Sequence, residues 1–158
     1  MVNANSLITA YTPADRHRIV FASNGKVGSE LRDENRSLRA EIAKVLIPSP
    51  ETASDELIRD LYDAETSYSK ASFAVYHQFV SCLATQLLER GGEKNVSHYL
   101  ACVFRGQDVY LSSQCVKLTP SARARAIDTI DHLIELAGND APPYYSRVRD
   151  NLARTPES

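Results

Sequence analysis

Apolar residues recur at helical spacing between positions 54 and 90. Leu57, Leu61, Tyr68, Val75, Phe79, Leu83 and Leu87 lie on one line, with Ile58, Tyr62, Tyr76 and Val80 beside them. Pro48 and Pro50 precede this stretch and Gly91-Gly92 follows it. The spacing predicts one helix, or two end to end, on the order of 50 Å long if unbroken. The rest of the chain is expected to pack around it.

Ahead of it, Thr12-Pro13-Ala14-Asp15 reads as a helix start: a capping hydroxyl, a proline at the first helical position and a carboxylate near the positive end. That helix is expected over 12–23, ending at Asn24-Gly25; a strand over 18–22 turning at Asn24-Gly25 is the competing reading. In 29–47, Leu31, Asn35, Leu38, Ile42 and Val45 alternate four and three residues apart among charged positions. This seam resembles a fragment of a leucine zipper, with Asn35 where a polar residue fixes register. The resemblance implies self-association, a possible homodimer; packing of the same face inside its own domain is the plainer alternative.

After Gly91-Gly92, positions 93–104 predict a shorter helix buried through Val96, Leu100, Val103 and Phe104. Positions 108–118 suit either a helix or a strand. Thr119-Pro120-Ser121 repeats the start chemistry and opens a helix through Ile127, Ile130 and Ile134, closed at Gly138. Its charges oppose the dipole, with Arg123 and Arg125 early and Asp128, Asp131 and Glu135 late, so partners elsewhere are expected. A last short helix over 144–154 faces Val148 and Leu152 inward. The pattern predicts an all-α, single-domain bundle of five to seven helices spanning 1–158, with 1–11 and 155–158 flexible.

Composition narrows the function. Of 158 residues, 43% are apolar and 24% charged, and the net charge is −2. A chain with no basic excess argues against nucleic acid as partner. No apolar run reaches transmembrane length, and the start lacks a signal-peptide pattern. Cys82, Cys102 and Cys115 cannot all pair, which fits a reducing, cytoplasmic setting.

Four constellations carry potential chemistry. Glu65, Ser69 and Ser72 project into the apolar arc between Tyr62, Tyr68 and Tyr76, and Arg123 points toward the core from its own helix. A carboxylate facing a core needs a partner or a proton. These seven residues are the candidate ligand pocket; the alternatives are a helix break at Glu65-Thr66-Ser67 that resets the projection and a structural Glu65–Arg123 ion pair. His98 and Cys102, spaced i and i+4, share a helix face suited to a metal, with His77 or Cys82 as candidate further ligands; one pair alone does not make a zinc motif, and no metal is assigned. Asp128, Asp131, His132 and Glu135 reverse the order of di-iron bundles and read as a solvated face. Three Arg-x-Arg pairs, at 16/18, 123/125 and 147/149, place only one arginine each on a given side.

Residues 127–134 resemble the opening helix of helical chorismate mutases, but too little chain follows for the two further helices that fold needs. His98 has room to be a globin-type proximal histidine, yet it projects away from its helix's apolar side. With no phosphate loop or nucleophile elbow, the expectation is a noncatalytic interaction module without cofactor. An adaptor, regulatory subunit, secretion chaperone or toxin-neutralising partner would fit. The alternative is a ligand-sensing or enzymatic bundle with its pocket near Glu65 and Arg123.

Overall fold

Capping chemistry opens two of the helices where the sequence places it, at Ser54 and at Thr119. The computed structural model describes residues 3–154, which form eight α-helices joined by turns and short 3-10 segments. These are α1 (Ala4–Ala10), α2 (Arg36–Leu46), α3 (Asp55–Ser72), α4 (His77–Arg90), α5 (Glu93–Cys102), α6 (Gln107–Gln114), α7 (Pro120–Ala137) and α8 (Pro143–Arg154). The fold is all-α. Ser54 accepts the Leu57 amide at the start of α3, and Thr119 accepts the Ala122 amide at the start of α7. Thr12 and Asp15 form a reciprocal box, although the turn they open is 3-10 and ends at Arg18.

The 54–90 stretch is two helices. It breaks at Phe73, which takes a left-handed backbone (φ 57°, ψ 25°), and α4 resumes at His77. The neighbouring turn is held by the Ser72 hydroxyl, which bonds both the amide and the carbonyl of Ala74 at 3.1 Å. α4 is the hub: it packs against α3, α5, α6 and α7, while α1 rests on α2 and α8 on α7. The core is continuous and includes Ile42, Leu46, Leu57, Leu61, Phe79, Leu83, Leu87, Val96, Leu100 and Ile130.

Three expectations need correction. Residues 3–11 are not loose: Asn3 caps α1 through the Ser6 amide, and Leu7, Ile8 and Tyr11 are buried. Positions 1, 2 and 155–158, also expected to be flexible, lie outside the described residues. The 29–47 helix begins only at Arg36, so Leu31 and Asn35 are not on a helical seam. Ile42 is fully buried, and Leu38 and Val45 pack on the core, so this face is used within the molecule. Asn35 instead donates from Nδ2 to the carbonyls of His17 (3.0 Å) and Val20 (2.9 Å), tying down the preceding loop. That loop folds back on itself through one antiparallel bridge, Ser23 to Asp33.

The undecided 108–118 segment is helical to Gln114 and without regular structure beyond it. Two of the reversed charges of α7 find partners on other elements. Asp131 pairs with Arg149 at 3.1 Å, and Arg125 donates to the Glu89 carbonyl at 3.1 Å. No helix among the described residues is long and apolar enough to cross a membrane.

Candidate functional site

The buried face of α2 is Arg39, Ile42, Ala43 and Leu46, an i, i+3, i+4, i+7 line with a cation at its head. Arg39 is wholly buried. Its Nε donates to Glu65 Oε1 (2.6 Å), its Nη2 to Asp33 Oδ2 (2.6 Å) and its Nη1 to the Ile19 carbonyl (3.2 Å). One guanidinium therefore joins the loop before α2, α2 itself and α3. Burial opposes its charge, but Glu65 and Asp33 outweigh burial and hold it above the ordinary arginine range.

This ion network floors a cavity of about 270 Å³, with Arg36, Tyr68, Val75, Tyr76 and Phe79 around it. Arg36 stacks on Tyr68, its guanidinium carbon 4.5 Å from the ring centroid, and has no carboxylate partner among the described residues. Tyr76 is 44% exposed at the mouth. Phe73, three residues before it in the α3–α4 elbow, is 79% exposed.

Of the seven pocket residues read from the sequence, Glu65, Tyr68 and Tyr76 meet at this cavity. Tyr62 does not. It is buried in the core, stacked on Tyr99 with centroids 6.1 Å apart, its hydroxyl 2.7 Å from Ser113 Oγ. Ser69 lines a separate hollow beside Lys70, Phe73 and Arg105, and Ser72 holds the elbow. Arg123 lies on α7 and takes no part; the partner of Glu65 is Arg39. Sequence reasoning missed Arg36 and Arg39. Phasing α2 on 39, 42, 43 and 46 puts Arg39 in the buried stripe, but the 38–42–45 line fits the same stretch of sequence equally well.

A second constellation lies between α3 and α5. His98 and Cys102 share a face of α5 as their spacing predicts, and Asp63 of α3 joins them. One donor atom from each of the three falls within 4.8 Å of the others. Burial pushes the Cys102 thiol up to about 11 and holds the His98 imidazole below its ordinary value, with Asp63 opposing the latter shift. His77 and Cys82 are elsewhere: His77 bonds Ser112 Oγ through Nδ1, and Cys82 faces the Leu46 carbonyl.

No known protein family, curated protein or solved structure matches the chain.

Proposed function

We propose that the protein is a noncatalytic interaction module that docks a partner polypeptide at the α3–α4 elbow. The observation that carries this reading is an exposed Tyr76 on a cavity edged by the Arg36 guanidinium, which has no carboxylate partner among the described residues, with Phe73 exposed in the adjoining elbow. Exposed aromatic and arginine side chains around a pocket are the usual anchors of an interface. The fitting occupant is a segment carrying a carboxylate next to an apolar side chain, the carboxylate on Arg36 and the apolar group against Tyr76 and Val75.

Size favours this over the small-ligand alternative. A cavity of about 270 Å³ falls below the ~300–1,000 Å³ typical of sites that enclose a drug-sized ligand. It suits one or two side chains of a larger partner. The Glu65 carboxylate beneath it is held in a 2.6 Å ion pair with the buried Arg39, an arrangement suited to structure more than to proton transfer. A cytoplasmic, reducing setting belongs to the same reading on the cysteine pattern alone.

Panning a random peptide library against the purified protein tests it. Enriched peptides should carry Asp or Glu beside an aliphatic or aromatic residue. Their affinity should fall at least tenfold in Arg36→Glu and in Tyr76→Ser. Peptides without acidic residues, or affinities indifferent to Arg36→Glu, would refute the reading.

A further inference from the structure

We propose that Asp63, His98 and Cys102 form a zinc(II) site with one coordination position open to solvent. The argument is independent of the elbow reading and begins with the donors. A thiol, an imidazole and a carboxylate are the three side-chain ligand types that zinc accepts together. Here they come from two packed helices. His98 and Cys102 are one turn apart on α5, and Asp63 faces them from α3.

Zinc–ligand bonds of about 2.0–2.3 Å place tetrahedral donors roughly 3.3–3.6 Å apart. The donors here already fall within 4.8 Å of one another, and Cys102 Sγ is 4.0 Å from Asp63 Oδ1. Side-chain rotations that bring the donors up to roughly 1.5 Å closer complete the set.

The surroundings orient the ligands as an outer shell does. His98 Nε2 donates to the Arg59 carbonyl at 2.9 Å, which fixes the tautomer and leaves the lone pair on Nδ1. Asp63 is held by Arg105, whose Nη1 lies 2.7 Å from Oδ1 and also bonds the Asp63 carbonyl, Thr66 Oγ1 and Ser67 Oγ. Arg16 Nη2 lies 3.8 Å from Oδ2. Two carboxylate oxygens let Asp63 keep one arginine while taking the ion.

On binding, the Cys102 thiol releases its proton to solvent; Zn²⁺ with one thiolate and one carboxylate sums to zero, and Arg105 beside Asp63 leaves the set one unit positive. Nearby Asp60 offsets part of the field of Arg16, to which it is paired at 3.2 Å. Of the three residues, Cys102 is buried, the Asp63 side chain is 26% exposed, and His98 lines a groove of about 580 Å³ with Arg59, Lys94 and Ala101 along it. The proposed open position lies on the His98 side, toward this groove, available to water or to a carboxylate or thiolate of a ligand.

Cobalt(II) titration reads the site directly, on a Cys82→Ser/Cys115→Ser background that leaves Cys102 as the single thiol. One equivalent should give a thiolate-to-cobalt charge-transfer band and four-coordinate visible absorption, both displaced by one equivalent of zinc. Cys102→Ser should abolish the band. His98→Ala and Asp63→Asn should each weaken binding at least tenfold while the fold, followed by circular dichroism, persists. His98 is only half buried, so its variant keeps the test informative if Cys102→Ser does not fold. Absence of the band at micromolar protein with excess cobalt overturns the site, as does a band whose affinity ignores both His98→Ala and Asp63→Asn.

Discussion

Arg39 is the residue on which three segments depend. Its guanidinium bridges two carboxylates, one of them fully buried, and a loop carbonyl. Truncating one member of a buried ionic set leaves charge without compensation, at a cost of about 3–5 kcal/mol. For a chain of this size that corresponds to a melting temperature lower by roughly 6–20 °C. Arg39→Ala should show this loss in thermal denaturation, and the double change Arg39→Met/Glu65→Leu should recover part of it. Asp55 is a milder case. Asn95 and Arg90 bond its carboxylate at 3.0 and 2.8 Å and hold it below the usual carboxylate value. The unfolded chain then takes up the proton first as pH falls. The contribution of Asp55 is complete above about pH 4 and is lost as pH drops through its depressed folded value. Denaturant titrations between pH 5 and 2 should show a shallower acid limb for Asp55→Asn than for the unmodified protein.

At the scale of elements, the α3–α4 elbow sets conformational strain against exposure. A non-glycine residue in the left-handed region costs about 1–2 kcal/mol, and the ring of Phe73 recovers little of that by burial, since it faces solvent. Glycine relieves the strain but loses about 0.5–1 kcal/mol more chain entropy on folding. Phe73→Gly should therefore keep the melting temperature or raise it by up to roughly 5 °C, while weakening any peptide selected at the elbow. A drop in stability would mean that the ring packs in solution and is no docking residue.

The same elbow marks where legibility stops. Helix starts at Ser54 and Thr119, and ends at Gly91 and Gly138, were readable because capping and left-handed glycine are local chemistry. Phe73 carries neither glycine nor proline, so nothing local announces the break. The 31–35–38–42–45 spacing mimicked a seam because α2 also has apolar residues beside its buried line; only the position of Arg39 opposite Glu65 decides the phase. Which arginine meets Glu65, or that Asp63 meets Cys102, depends on segments brought together from 26 and 39 residues away, a distance no spacing rule covers.

Considered whole, the molecule is closed from its amino end. Leu7, Ile8 and Tyr11 seat α1 against α2 and the core, and the Tyr11 hydroxyl reaches Asp60 at 2.6 Å. Exposing three such side chains forfeits about 5–9 kcal/mol of burial, comparable with the ~5–15 kcal/mol that holds a typical domain together. A chain lacking residues 1–11 should be largely unfolded at 37 °C by circular dichroism; a cooperative transition within a few degrees of the full chain would contradict that.

The three unpaired cysteines stand at three depths: Cys115 at the surface, Cys82 partly covered on α4, and Cys102 in the core of α5. Alkylation of a covered thiol waits for the protein to open. The chain thus carries its own graded clock of local motion. Cys115 should label at once, Cys82 with fraying of α4 against Leu46, and Cys102 only when α3 and α5 part.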